Sequence, residues 1–223
     1  MSLFAVAVDG PAGSGKSSVS KQAARELGWG YLDTGAAYRA LTWAVQHLDG
    51  FELEALAEIN LQEVFEYDIS TNPDDYWVRV GERDLTEAIR STEVAEAVSA
   101  VARIPQVRSY MKWLTRSIVE GCGQPGIIVE GRDITTVVLP DAPVRLLLTA
   151  SEEVRLRRRS AEIGAAETSQ VQKQVSQRDA SDAKVVDFMN PADGVTLIDS
   201  SDLNFEQTVA AVLEQIAVAT KKD

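Results

Sequence analysis

Hydrophobic and polar positions alternate along this chain in two rhythms. Short, nearly unbroken apolar runs at residues 4–8, 31–33, 127–129, 144–148 and 196–198 predict strands buried on both faces. Between them, apolar residues return every three or four positions over 17–27, 36–48, 88–103, 105–120, 152–163 and 204–219, the spacing of one helix face. In the last of these, Phe205, Val209, Val212, Leu213 and Ile216 fall on one side. Buried strands alternating with helices predict an α/β class, with a parallel sheet of about five strands flanked by helices. One stretch breaks the rhythm. Two alternating runs, 67–71 and 76–81, flank Asn72-Pro73-Asp74-Asp75, so 66–85 predicts a small antiparallel β insertion outside the parallel core. Small and polar residues over 163–169 predict the tip of a helical flap. A length of 223 residues favours one domain carrying an insertion over two equal domains.

The first strand runs into Gly10-Pro11-Ala12-Gly13-Ser14-Gly15-Lys16-Ser17, a Gly-x4-Gly-Lys-Ser motif. The helix that follows places Val19, Ala23, Ala24 and Leu27 on one face before Gly28 ends it. A strand before and a helix after are the setting this motif requires. Small residues let successive backbone N–H groups close around a phosphate, and the helix N-terminus adds partial positive charge. Lys16 would reach the outer phosphates and the Ser17 hydroxyl would ligate Mg²⁺, with Ser18 beside them in the first helical turn. The expected ligand is a nucleoside triphosphate.

Composition narrows what else the chain can do. No apolar run approaches the roughly 20 residues needed to cross a bilayer, and the first strand is too short for a signal peptide, so a cytosolic protein is expected. Cys122 is the only cysteine and His47 the only histidine, which excludes internal disulfides, thiolate clusters, histidine triads and His-based zinc sites. A net charge of −12 should repel nucleic acid polymers and anionic membranes. A phosphate ligand must therefore meet a local concentration of arginine.

Two predicted strand ends supply it, where open α/β sheets bind their ligands. The second strand continues Asp33-Thr34-Gly35-Ala36-Ala37-Tyr38-Arg39, and the third ends Glu130-Gly131-Arg132-Asp133. Each presents an arginine beside the loop, and Glu130 stands where many enzymes with this loop carry a carboxylate holding Mg²⁺-bound water. A third cluster is Arg155-Leu156-Arg157-Arg158-Arg159. Some of these arginines would answer Glu152, Glu153 and Glu162, but Arg155, Arg158 and Arg159 share a helix face and could close over a polyphosphate.

Taken in order, the loop, Leu32-Asp33-Thr34-Gly35-Ala36-Ala37-Tyr38-Arg39, the β insertion, residues 101–108, Glu130-Gly131-Arg132-Asp133 and Arg178-Asp179-x-x-Asp182 resemble the bacterial cytidylate kinases across nearly the whole chain. The resemblance implies a three-layer P-loop fold with a core (1–35, 87–150, 190–223), an NMP-binding region containing the β insertion (about 36–86) and a helical LID (about 151–189). It also implies a monomer acting on CMP and dCMP. Thr34, Arg39 and Arg132 would hold the acceptor phosphate; Ser99, Arg108 and Asp133 would read cytosine; Arg178 and Asp182 would approach the sugar and the transferring phosphates. One departure stands out. Asp182-Ala183-Lys184-Val185 puts Val185 where the family commonly has arginine, leaving Lys184 to supply that charge from one position earlier or the contact to be missing.

The expected chemistry is direct in-line transfer of the γ-phosphoryl of ATP to the acceptor phosphate. Lys16, Arg132 and Arg178 would stabilise transition-state charge, with no side-chain base because the acceptor oxygen is already ionised. Two other readings remain at this point: a kinase for another small acceptor such as UMP or shikimate, and a nucleotide-dependent switch whose output is a protein contact.

Overall fold

The structure is a computed structural model and describes residues 3–163, 179–180 and 186–221. In chain order the strands are β1 (Phe4–Asp9), β2 (Gly30–Asp33), β3 (Tyr67–Ile69), β4 (Val78–Val80), β5 (Arg83–Asp84), β6 (Gly126–Gly131), β7 (Val144–Thr149) and β8 (Thr196–Asp199). Among the described residues the α-helices are α1 (Lys16–Leu27), α2 (Thr34–His47), α3 (Leu61–Val64), α4 (Thr92–Ala102), α5 (Pro105–Glu120), α6 (Glu152–Ile163) and α7 (Phe205–Thr220). Five strands form a parallel sheet in the order β2-β6-β1-β7-β8, and β3-β4-β5 form a separate antiparallel sheet. The predicted α/β class and strand number hold.

Alternation along each parallel strand explains why both faces are covered. Val6 and Val8 of β1, Ile128 of β6 and Leu146 and Leu148 of β7 pack with Val19 and Ala23 of α1 and Val209, Val212 and Ile216 of α7. On the opposite face Ala7, Ile127 and Val129 meet Ala40 and Leu41 of α2, Val107 and Met111 of α5, and Ile69 and Val78 of the small sheet. Register sets Asp33 beside Glu130 and Asp9 beside Gly131. Three acidic residues therefore sit at the carboxyl ends of three adjacent strands.

Local chemistry fixes the ends of elements. Gly28, at φ +65°, closes α1; Pro105 opens α5; Asn204 and Gln207 form a reciprocal capping box at the start of α7. The helix expected over 88–103 is split: a 3₁₀ turn at Ala88–Arg90 ends at Ser91, whose hydroxyl accepts from Val94 N–H at 3.3 Å and starts α4. The insertion has a short third strand, β5, beyond the expected hairpin. It is also clasped to the core. Arg25 bonds Asp74 Oδ1 at 2.6 Å and the Pro73 carbonyl at 2.9 Å, and Tyr31 N–H donates to the Thr71 carbonyl at 2.8 Å.

Candidate active site

The loop between β1 and α1 is confined to a path that only glycine permits at two points. A Cβ on Gly10 would stand 2.1 Å from the Leu148 carbonyl oxygen. One on Gly13, at φ +74°, would stand 2.5 Å from the Arg155 carbonyl oxygen. The loop is thus pressed against the end of β7 and the start of α6. Pro11 and Ser14 are buried while Ser17 and Ser18 are exposed at the start of α1, and Gly15 caps that helix without a side chain. Lys16 Nζ donates to the Pro11 carbonyl at 3.3 Å.

Three arginines grip the loop's carbonyls. Arg132 Nη1 donates to Gly10 at 3.0 Å, Arg155 Nη1 to Ala12 at 3.0 Å, and Arg158 Nη1 to Ser14 at 3.1 Å. Arg158 also bonds the Ser200 hydroxyl and carbonyl, both at 2.9 Å, so it ties loop, α6 and the end of β8 together. The guanidinium of Arg132 lies over the Phe188 ring, 4.2 Å from its centroid. Arg155 is buried, and Arg159 is half-buried on the same helix. Of the three arginines expected to share a face, Arg155 and Arg158 reach the loop through the Ala12 and Ser14 carbonyls, and each also bonds a side chain, Asp179 and Ser200 respectively. Arg178, Asp182, Lys184 and Val185 lie outside the described residues.

The neighbouring strand ends build a second set of polar groups. Thr34 Oγ1 donates to the Glu130 carbonyl at 2.8 Å, a contact that Gly131 makes room for, since a Cβ there would come within 2.6 Å of Thr34 Oγ1. Arg39 pairs with Asp33 at 2.6 Å across Gly35, where a Cβ would lie 3.0 Å from both side chains. Arg108 Nη2 bonds Asp133 Oδ2 at 2.6 Å. Beside them opens a cleft of about 490 Å³ lined by Thr34, Tyr38, Arg108, Lys112, Asp133 and Ile134, among others. Ser99 is half-buried on α4 and does not line this cleft.

Two buried carboxylates anchor the arrangement. Asp9 accepts from Ile134 N–H at 2.8 Å, Thr135 N–H at 2.9 Å and the Thr135 hydroxyl at 2.6 Å, and so shapes the wide turn at Ile134–Val138 that carries the cleft wall. Burial nonetheless raises its pKa, against the lowering effect of those hydrogen bonds. Glu130 accepts from the Tyr31 hydroxyl at 2.6 Å. Its pKa is raised by burial and by the charge of Asp33, while Lys16, the Ser17 hydroxyl and Tyr31 oppose the rise.

Folding therefore disfavours the charged form of Glu130 relative to the unfolded chain. Such a group stabilises the fold fully below its ordinary value of 4.5 and loses that contribution as pH rises through the folded pKa. Glu130→Gln, which keeps an acceptor for Tyr31, is expected to raise Tm at pH 7.5 and to flatten the fall in stability above pH 4.5, while lowering turnover. Thermal unfolding followed at several pH values checks this; a lower Tm at pH 7.5 would contradict it.

Asp9, Tyr31 and Asp179 were not singled out from the sequence. Asp9 carried a signal, an acid closing a wholly apolar strand directly before the loop. Asp179 stood in the Arg178-Asp179-x-x-Asp182 run without a role, and Tyr31 read only as a strand residue.

Comparison with known proteins bears on this geometry. A sequence model of the family described as cytidylate kinase matches residues 6–218. A cytidylate kinase of Cutibacterium acnes is 40% identical over 223 residues, covering 99% of both chains. One from Mycobacterium leprae is 41% identical over 223 residues, covering 97% of this chain and 96% of its own. Among solved structures, an uncharacterized protein from Eubacterium ventriosum superposes with a TM-score of 0.52 at 10% identity, covering 96% of this chain and 98% of the other; it shares the fold. With a family model matched over residues 6–218 and relatives about 40% identical over almost their full length, the chain belongs to the cytidylate kinase family.

Proposed function

We propose that the protein transfers the γ-phosphoryl group of ATP to the 5′-phosphate of CMP and dCMP, giving CDP and dCDP. One observation carries this reading most directly: the Arg108–Asp133 pair lines a cleft with Thr34, beside the arginine-gripped phosphate loop. Two anion-binding regions side by side suit a donor and an acceptor that both carry phosphate. A switch protein has no use for the second.

Transfer between two polyanions needs neutralisation, in-line alignment and exclusion of water. Lys16 and the loop N–H groups take the donor's outer phosphates, and Arg132, bonded at the loop's edge, faces the transferring group. Arg39 and Thr34 take the acceptor phosphate, Arg39 exchanging its bond to Asp33 for a bidentate one to phosphate. Asp133 accepts from the amino group of cytosine, which uracil replaces with a carbonyl, and Arg108 holds that carboxylate in place. Arg178, Asp182 and Lys184 are assigned to the sugar and the transferring phosphates, and Arg155, Arg158 and Arg159 to the donor side. The core, NMP-binding and LID boundaries given above, a monomeric state and a cytoplasmic location belong to the same proposal.

Mg²⁺ fits the donor set. Ser17, whose hydroxyl interacts with Glu130, offers a hard oxygen at the mouth of the loop, and Glu130 and Asp33 lie behind it. Among the described residues no cluster of three acidic, His or Cys side chains could hold a metal alone. Bound there, Mg²⁺ would screen charge on the phosphates. Among the described residues no helix is long and apolar enough to cross a membrane. The test is acceptor-dependent ADP release: it should be slow with ATP alone and rise at least about 10²-fold on adding CMP. A rate unchanged by CMP would overturn the reading.

A further inference from the structure

Donors from three separate elements converge on the carboxylate of Asp179. Asp179 Oδ1 accepts from Ala12 N–H at 3.1 Å and from Arg132 Nη2 at 2.9 Å, and Asp179 Oδ2 accepts from Arg155 Nη1 at 2.5 Å. The side chain is 13% exposed. Its partners come from the phosphate loop, the end of β6 and the start of α6. Both arginines also bond loop carbonyls, so their positions are set from two sides. This is a built anion site, and an anion of the chain itself stands in it.

The fit of that anion is incomplete. Arg155 Nε is buried and finds no hydrogen-bond partner among the described residues. A carboxylate offers two oxygens in one plane. A terminal phosphoryl group offers three in a tetrahedral array and up to two negative charges, enough to serve Ala12 N–H, Arg132 and Arg155 Nη1 at once. A carboxylate and a phosphoryl group cannot share these donors at one time.

We propose that Asp179 is an internal counter-anion at the outer-phosphate position of the loop. It holds Arg132 and Arg155 in register, and the terminal phosphoryl group of the nucleotide takes over its three partners. Nucleotide then binds against an intramolecular competitor, and its apparent affinity is reduced by the fraction of molecules in which Asp179 holds the site. Removing the charge should therefore tighten phosphate binding. A purely structural ion pair predicts the reverse, because arginines released from their anchor bind less well.

The inference rests on reading the loop as the donor-phosphate site, and its readout avoids turnover. Failure to phosphorylate CMP would leave it standing, and its own failure would leave the kinase reading intact. Inorganic tripolyphosphate is titrated calorimetrically into the full chain and into Asp179→Asn, Asp179→Ser and Asp179→Glu, with the fold of each checked by circular dichroism. The neutral variants should bind tripolyphosphate about tenfold more tightly than the unaltered protein, and Asp179→Glu should stay within about threefold of it. The serine variant serves if the asparagine one does not fold. Equal or weaker binding in the folded neutral variants would overturn the proposal and leave Asp179 as an anchor for the arginines alone.

Discussion

Replacing Lys16 or Arg132 with alanine is expected to lower kcat at least about 10²-fold while leaving the fold intact. The two side chains approach the transferring group from different elements. Lys16 opens α1 and reaches across the loop to the Pro11 carbonyl, so its ammonium spans the interior that phosphates would fill. Arg132 leaves β6 three residues after Val129 and is held by the Gly10 carbonyl, by Asp179 and by the face of Phe188. Neither contributes apolar area to the two cores, and truncation leaves the sheet and its covering helices untouched. The loss should fall on kcat more than on KM, because charge on the reacting oxygens grows on the way to the transition state. Steady-state kinetics beside circular dichroism and thermal unfolding check this. Near-normal turnover in either variant would show that the charge is supplied elsewhere.

Asp133→Asn is expected to reduce discrimination between CMP and UMP by about 10²-fold, chiefly through KM. The carboxylate is half-buried and fixed by Arg108 at 2.6 Å, so it can only accept. It suits the amino group of cytosine and repels the carbonyl of uracil. An asparagine amide can turn either group toward the base, which weakens the fit to cytosine and removes the repulsion of uracil together. A hydrogen bond to a charged group is worth ~1.5–3 kcal/mol and an unpaired buried partner costs a similar amount, which sets the size of the effect. Competition assays with both nucleotides measure the ratio; unchanged selectivity would place base recognition elsewhere, with Ser99 and α4 the next residues to vary.

Much of this site was legible because local patterns determined it. The phosphate loop needed only its own residues and the strand and helix beside it. The five parallel strands were visible because strands buried on both faces read as apolar runs, and Arg39 and Arg132 followed from their distance beyond strand ends. What escaped depended on partners distant in the chain. The turn at Ile134–Val138 exists because Asp9, 125 residues away, takes up its N–H groups. Arg155 and Arg158 shared a face by periodicity alone, but periodicity could not reveal that they would hold the carbonyls of Ala12 and Ser14. β5 is two residues long, below what alternation can signal. Ser91 split one predicted helix because a hydroxyl competes for the free N–H groups of a new first turn, a local rule outweighed in the sequence by an apolar period running straight through it.

The most direct test of the account is ADP release measured with ATP and Mg²⁺ across the nucleoside monophosphates. CMP and dCMP should be turned over at least about 10²-fold more efficiently, in kcat/KM, than AMP or GMP. Comparable efficiencies with AMP or GMP would contradict it.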